Sequence, residues 1–301
     1  MRSPARGNKL MFFLTLWFFG ASLIMGLIMI LFGLEDQILL SLALSQIVGL
    51  FIPFVFYLII TKQRQRQVLK WRSLGVRNTI LTLVITLAAF PIVNLISHLS
   101  SFVFVPAIDL ITVDITAYPF WISLIIVAAF PALFEEFMFR GALYHEYEGV
   151  SIHKAAIVTG LFFGIIHLNF HQSIYAGAMG ILMAYLLYFT RSIWAPILMH
   201  FFHNGLATAL AYIPMAEPVE ENPLTTLLVF GGLSLVMVPV LIVCFKKLKP
   251  PVSEEVAPSV ETSEEPQPEE PQKVFTWGFW ATIGLFIFFA GLMEIVLRMG
   301  E

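Results

Sequence analysis

The chain has 301 residues, of which 58% are hydrophobic and only 12% are charged, and its formal net charge is −3. A soluble domain is about 45–50% apolar and about 25% charged, so this composition excludes an ordinary soluble fold and predicts a polytopic membrane protein. No clustered basic surface is visible beyond short loops, which argues against a nucleic-acid-binding protein. The single cysteine, Cys244, excludes an intramolecular disulfide and a cysteine-based metal cluster.

Apolar stretches long enough to cross a bilayer recur along the chain. A spanning helix needs about 20 apolar residues, and these stretches are too long for the strands of a membrane barrel. We therefore predict an all-α, polytopic transmembrane helical bundle of about eight core spans and one C-terminal span. The predicted spans lie near 11–33, 37–61, 78–100, 118–142, 154–170, 173–190, 193–213, 223–245 and 275–296. The fifth and sixth predicted spans are short, which is compatible with tilted or partly re-entrant helices.

Loop charge predicts how these spans are oriented. Basic residues precede the first span and follow the second, fourth, sixth and eighth, all on one side of the membrane if the spans alternate. Acidic residues occupy the loops on the other side. Because positively charged loops stay in the cytoplasm, we expect a cytoplasmic N-terminus. The prokaryotic style of the chain suggests an integral protein of a bacterial plasma membrane, in contact with its lipids.

Residues 250–273 differ from the rest of the chain, because proline and glutamate dominate them. Such a segment cannot bury enough apolar area to fold, and we predict a disordered, extended cytoplasmic linker. A docking tail is the alternative. The chain thus divides into a helical core at 1–249, which carries the candidate site at 131–204, and an additional C-terminal transmembrane helix at 274–301.

Glu135, Glu136 and Arg140 lie inside the fourth predicted span. Ionisable groups are costly in hydrocarbon, and those that occur there usually face a protein interior or a water-filled cavity. The i, i+4 spacing lets Glu136 and Arg140 pair along one helix face, which leaves Glu135 on an adjacent face. A buried carboxylate without a local ion-pair partner is suited to act as a general base. A structural ion pair at a helix end is the alternative.

Two later spans carry histidines. His167 lies late in the fifth span, and His171 follows it among polar neighbours that suggest a loop. His200 and Asn204 are spaced i, i+4 in the seventh span and share a face, with His203 at its border. An imidazole and a carboxamide on one face can both donate hydrogen bonds to a developing oxyanion. The alternatives are a core histidine at His167 and polar contacts between helices at the other positions.

Three short patterns follow one another on three separate predicted helices. They are Glu135-Glu136-x-x-x-Arg140, Phe163-x-x-x-His167 and His200-x-x-x-Asn204. Each is common alone, but the ordered set within about 70 residues of a polytopic protein resembles the CPBP family. This family comprises the CAAX prenyl endopeptidases and the bacteriocin-processing or Abi-type membrane proteins. The resemblance covers about residues 115–210, and the first three spans fit only by type.

The resemblance implies an all-helical intramembrane endopeptidase whose site lies in a cavity open toward the cytoplasm. By match of motif, Glu135 would activate water, and His167 would hold or polarise that water. His200 and Asn204 would stabilise the oxyanion. These four positions are intact, as in an active member of the family.

The resemblance also implies a supporting pair and leaves the cofactor open. Glu136 and Arg140 would support the catalytic groups. The family is commonly classed as metalloproteases, and Glu135, His167 and His200 could hold zinc with one position open for water. A glutamate-dependent mechanism without a metal fits the same residues. The cofactor is therefore either none or a divalent metal such as zinc.

The favoured function is hydrolysis of a peptide bond near the cytoplasmic membrane surface, in a membrane-inserted or lipidated peptide or protein. One alternative is a non-catalytic bacteriocin self-immunity or scaffold protein on the same fold. Another is a transporter that uses the acid as a proton carrier, although no matched pair of broken helices is visible. The span boundaries leave one conflict, because they place His167 further outward than Glu135 and His200.

Overall fold

A computed structural model describes residues 2–34, 36–106, 115–213, 222–249 and 272–300. Regular secondary structure within these ranges is entirely helical, which confirms the predicted all-α fold. The predicted linker at 250–273 lies outside the described residues except for its last two positions, so its disorder stays a prediction.

Ten helices follow one another in the described ranges. They are α1 (Pro4–Leu31), α2 (Ile38–Thr61), α3 (Gln65–Leu69), α4 (Gly75–Ser101), α5 (Phe120–Glu146), α6 (Ile152–Ile165), α7 (Phe170–Thr190), α8 (Trp194–Ala211), α9 (Pro223–Lys247) and α10 (Trp277–Gly300). A short 3₁₀ turn at Ile115–Ala117 precedes α5. Each predicted span corresponds to one of these helices, and α3 is an additional short helix in a predicted loop.

Seven of the described helices, namely α1, α2, α4, α5, α7, α9 and α10, are long and apolar enough to cross a membrane. The remaining two predicted spans fall short for different reasons. Helix α6 has 14 residues, which rise about 21 Å against a hydrocarbon core of about 30 Å. Helix α8 has 18 residues, but its middle turn carries His200, His203 and Asn204, which lower its hydropathy. These two shorter helices, α6 and α8, precede and follow α7 in the chain.

The prediction that His167 lies within the fifth span is wrong, because α6 ends at Ile165. Ile166 and His167 form a turn, and the left-handed φ of 51° at Leu168 prevents the helix from continuing beyond it. The Asn169 side chain then accepts a hydrogen bond from the Gln172 backbone N–H at 2.8 Å and caps α7. His167 therefore lies in a tight turn between two helices.

The structure also reduces the disagreement in membrane depth between Glu135 and His167 that the predicted span boundaries produced. Helix α5 continues to Glu146, four residues past the predicted end at 142, and this places Glu135 about 6 Å deeper from that end of the helix. Helix α6 is too short to reach the far side. Glu135 and His167 are consequently brought toward the same level in the bundle.

Helices α6 and α7 approach each other closely through glycines. A Cβ atom added to Gly164 would lie 2.2 Å from the Ser173 carbonyl oxygen, and one added to Gly160 would lie 2.7 Å from the Ile181 backbone nitrogen. Small residues allow helix backbones to approach this closely in membranes. The approach also places Gly180 of α7 beside Arg140 of α5.

The C-terminal helix α10 packs on α1. The Asn8 side chain donates hydrogen bonds to the Val274 carbonyl and to Thr276 Oγ1, both at 2.8 Å. Tyr147, directly after α5, donates to Asn8 Oδ1. One buried amide therefore connects α1, the start of α10 and the end of the helix that carries the candidate site.

Candidate active site

Glu135 and Glu136 are the last residues of the α-helical segment Phe130–Glu136, and a π-helical turn at Phe137–Leu143 follows at once. Glu135 is 7% exposed and Glu136 is fully buried. Helical turns of the π type often occur at functional sites, because they shift the register of side chains on a helix. Both carboxylates are inside the bundle, although they occupy adjacent positions.

His200 of α8 lies between these two carboxylates. Its Nδ1 is 2.8 Å from Glu136 Oε1, and its Nε2 is 3.8 Å from Glu135 Oε2. An ionised carboxylate only accepts hydrogen bonds. The proton in the bond between His200 and Glu136 is therefore on Nδ1. The distance on the Glu135 side is too long for a direct hydrogen bond, and a single water could contact both groups.

Arg140 holds Glu136 from within the same helix. Its guanidinium donates to Glu136 Oε1 at 3.2 Å and to the Gly180 carbonyl at 2.9 Å. Its Cζ also lies 4.3 Å from the centroid of the Phe163 ring. The predicted Glu136–Arg140 pair is confirmed, and it connects α5 with α6 and α7.

Gln46 of α2 is a site residue that the sequence interpretation missed. Its side-chain amide donates to Glu135 Oε1 at 2.8 Å. The signal available in the sequence was a lone amide within an otherwise apolar span, and polar residues in such spans are often functional. Gln46 fixes one oxygen of Glu135 and leaves the other oxygen on the His200 side.

His167 and Asn204 flank this centre. His167 interacts electrostatically with both Glu135 and His200, and its Nδ1 is 2.9 Å from the Phe163 carbonyl. Asn204 donates to the Val127 carbonyl of α5 at 3.2 Å, so His200 and Asn204 share a face toward α5, as predicted. The amide of Asn204 has a second N–H for another acceptor.

His203 and His171, the other two histidines considered in the sequence analysis, have separate surroundings. The His203 ring lies 5.4 Å from the Phe90 ring. His171 is in helix α7, so the prediction of a loop there is wrong; the Asn169 cap begins the helix one residue before it. Its Nε2 is 3.1 Å from the Ser97 carbonyl. We assign neither residue a part in the central cluster.

The chemistry of Glu135, His167 and His200 suits zinc, but the described residues do not show these three side chains grouped as zinc ligands. No three His, Cys, Asp or Glu side chains in the described ranges are grouped closely enough to hold a metal ion. Nδ1 of His200 is directed at Glu136, so Nε2 is the nitrogen of this ring that would bind a metal. The steps proposed below therefore use only the side chains of the chain itself.

Comparison with known proteins finds relatives of this region. The family described as "Type II CAAX prenyl endopeptidase Rce1-like" matches residues 117–206. A protein of Bacillus subtilis (strain 168), described as "Putative membrane peptidase YdiL", is 29% identical over 104 residues. This central region is therefore similar to the CPBP family of intramembrane proteases, which its motifs resemble. No solved structure matches the chain.

The CPBP match covers part of each chain. The alignment with the Bacillus subtilis protein spans 34% of this chain and 43% of that protein. The matched residues 117–206 include every predicted site residue on α5, on α8 and in the turn between α6 and α7. Gln46 lies outside the CPBP match, so its place at the site is known from the structure alone.

Proposed function

We propose that the protein is an intramembrane endopeptidase that hydrolyses a peptide bond near the cytoplasmic membrane surface. The observation that carries this proposal is the asymmetric setting of Glu135. One oxygen accepts a hydrogen bond from Gln46 at 2.8 Å, and the other faces His200 across 3.8 Å. A buried carboxylate held in this way is oriented to take a proton from water. A membrane-inserted or lipidated substrate suits a site inside the bundle.

The proposed reaction begins with water at the open oxygen of Glu135. Glu135 accepts a proton as the water oxygen bonds to the carbonyl carbon of the scissile peptide. The carbon–nitrogen bond then breaks, and the same proton passes from Glu135 to the leaving amine. His167 lies near enough to Glu135 to interact with it electrostatically, and it would polarise the attacking water.

His200 would stabilise the oxyanion as an imidazolium. Glu136 takes the hydrogen bond of Nδ1, so Nε2 can donate only when it also carries a proton. The second N–H of Asn204 would be a further donor to the oxyanion.

The proposal is tested by Glu135→Gln, which keeps the shape of the side chain and removes its ability to accept a proton. The matched control is Glu294→Gln in α10, because Glu294 pairs with Arg298 far from the site in sequence. Cells that produce wild-type protein or either variant at equal levels are compared by quantitative analysis of new peptide termini in their membrane proteins.

Wild type and Glu294→Gln should produce the same new termini, and Glu135→Gln should reduce their formation by about a hundredfold or more. Identical termini in all three strains, or none that depend on the protein, would overturn the assignment. Unchanged biological function in Glu135→Gln would instead favour the non-catalytic self-immunity or scaffold protein.

Measurement of bound zinc distinguishes the proposed metal-free mechanism from a metal-dependent one. Protein purified without chelators is analysed for zinc by mass spectrometry, in wild-type and Glu135→Gln forms. The proposed metal-free steps predict no stoichiometric zinc and full activity after treatment with a chelator. One zinc per chain that is lost in Glu135→Gln would replace the general-base mechanism by a metal-dependent one.

A further inference from the structure

A basic pocket lies at the end of the bundle where α2 and α5 end and α6 begins. Its volume is about 730 Å³, within the range of about 300–1,000 Å³ that is typical of ligand sites. Five basic side chains and one acidic side chain line it: Arg2, Arg66, Lys70, Arg72 and Arg191, with Glu148. None of them takes part in the proposed proteolytic steps.

Basic side chains outnumber acidic side chains in the lining of this pocket. Glu148 pairs with Arg2 at 2.6 Å and also with Lys70. Arg66 and Arg191 have no carboxylate partner among the described residues. Burial lowers the pKa of Lys70, and the nearby Arg191 and Arg2 lower it further against the opposing effect of Glu148. Cations that repel one another in a concave site favour a bound anion.

The loops that carry these cations are fixed to each other. The Ser192 hydroxyl donates to the Arg72 carbonyl at 2.6 Å, and the Ile193 backbone N–H donates to the Lys70 carbonyl at 3.3 Å. The Arg191 guanidinium lies 4.9 Å from the centroid of the Tyr188 ring. The loop backbones and the Arg191 side chain are therefore held in place before any ligand binds, which lowers the entropic cost of binding.

Two tryptophans place this pocket at the level of lipid headgroups. Trp71 and Trp194 are 37% and 44% exposed, and their rings lie 5.1 Å apart. Tryptophan is enriched where a membrane protein meets the headgroup region. Each of them is close in sequence to a cation of the pocket, Arg72 or Arg191.

Membrane orientation alone does not require this arrangement. The positive-inside rule is satisfied by basic residues scattered over cytoplasmic loops, and Lys62 and Lys154 are examples that are exposed and do not line the pocket. The cations of the pocket come from three separate segments: the N-terminus, the α2–α4 connection and the α7–α8 turn. Their convergence indicates a binding site.

We propose that this pocket binds the phosphate of an anionic lipid headgroup at the membrane surface. Guanidinium groups bind phosphate oxygens in a bidentate manner, and basic pockets between transmembrane helices bind anionic headgroups. A soluble phosphate compound shares this chemistry, but the exposed tryptophans and the spanning helices around the rim favour a lipid.

The test uses full-length protein in a neutral detergent and isothermal titration calorimetry. The probes are dihexanoyl phosphatidylglycerol, dihexanoyl phosphatidylcholine and inorganic phosphate. The double variant Arg66→Gln/Arg191→Gln removes the two cations without a carboxylate partner. Its matched control, Lys62→Gln/Lys154→Gln, removes two charges from the same predicted side of the membrane and outside the pocket.

Phosphatidylglycerol should bind wild type and the control at least about tenfold more tightly than the other two probes. The pocket variant should bind it about twenty-five-fold more weakly, because each basic residue near an anionic headgroup contributes about fivefold. If the double variant fails to fold, Arg66→Gln alone, at an exposed position, should weaken binding about fivefold. Equal binding by pocket variant and control, or inorganic phosphate bound as tightly as phosphatidylglycerol, would overturn the proposal.

Discussion

The two adjacent glutamates differ in their partners more than in their burial. Glu136 contacts Arg140 and His200, each through Oε1. Glu135 contacts the neutral amide of Gln46 and faces His200 at a longer distance. A charge held by a cation and an imidazole is suited to positioning, and a charge held by an amide remains available to accept a proton. This difference supports the predicted division of roles between them.

Replacement of Gln46 by leucine tests the positioning of Glu135. Gln46→Leu removes the hydrogen bond to Oε1, and the misplaced carboxylate should lower kcat by about tenfold to a hundredfold with a smaller change in KM. Ser45→Ala is the control, because the Ser45 hydroxyl bonds to the Leu42 carbonyl of its own helix. Equal kcat in the two variants would remove Gln46 from the site.

Among the described residues, the chain has two Glu-x-x-x-Arg ion pairs, one buried and one with an exposed arginine. Breaking each pair in turn compares the contribution of a buried and an exposed ion pair to stability. Arg140→Gln leaves Glu136 without its cation, and the loss of one partner from a buried pair costs about 3–5 kcal/mol of unfolding free energy. Arg298→Gln breaks the pair with Glu294, in which Arg298 is 55% exposed, and should cost about 1 kcal/mol or less. Denaturant unfolding in detergent measures both values. A cost for Arg140→Gln no larger than that for Arg298→Gln would contradict the assigned support role.

Among the helices, the contact between α6 and α7 brings Gly180 to Arg140. A methyl group at Gly164 has no space, because the Ser173 carbonyl is 2.2 Å from the position of the added Cβ. Gly164→Ala should therefore separate the two helices, lower the thermal midpoint by at least about 4 °C and reduce activity. Gly232→Ala in α9 is the control, because nothing lies within 4 Å of that Cβ. A similar midpoint in both variants would show that the close approach is not required.

The connection between α5 and α6 should respond to acid. Burial would raise the pKa of Glu148, but its hydrogen bond with His145 and the attraction of Lys70 outweigh this effect and lower the pKa from 4.5 to about 2. A lowered pKa stabilises the fold above the unfolded value of 4.5, and this stabilisation is lost as the pH falls toward the folded value. The ion pairs of Glu148 are therefore absent only under strongly acidic conditions.

The Glu148→Gln variant tests this dependence. The unfolding free energy of wild type should exceed that of Glu148→Gln by a constant amount above about pH 5, and the difference should shrink as the pH falls below 4.5. Denaturant unfolding at pH 6 and pH 3 measures the difference. The same difference at both pH values would contradict the lowered pKa.

For the whole molecule, hydropathy predicted the helical bundle, and spacing predicted which residues share a face of one helix, such as Glu136 and Arg140. The approach of Glu135 and Glu136 to His200 on another helix was implied only by the resemblance to the CPBP family. The sequence did not predict where α6 ends, because hydropathy does not register the turn formed by Leu168 and Asn169. It also missed Gln46, since nothing in the local sequence of α2 shows which helix will pack beside it. Convergence of distant helices is a tertiary property.

Orientation in the membrane remains a prediction of loop charge. In a Cys244→Ala background, Leu34→Cys between α1 and α2 should react with a membrane-impermeant maleimide applied to intact cells. Lys62→Cys after α2 should react only after the membrane is permeabilised, because an alternating topology places it in the cytoplasm. The reverse pattern of labelling would invert the orientation.

The central claim is that Glu135, Glu136 and His200 converge on one hydrated centre inside the bundle. An experimental structure in a lipid nanodisc, resolved well enough to show ordered water, measures this directly. The account predicts that His200 Nε2 lies about 3.8 Å from Glu135 Oε2, with a water in contact with both. Side chains that face lipid, or that lie more than about 10 Å apart and thus beyond the reach of a single water, would contradict it.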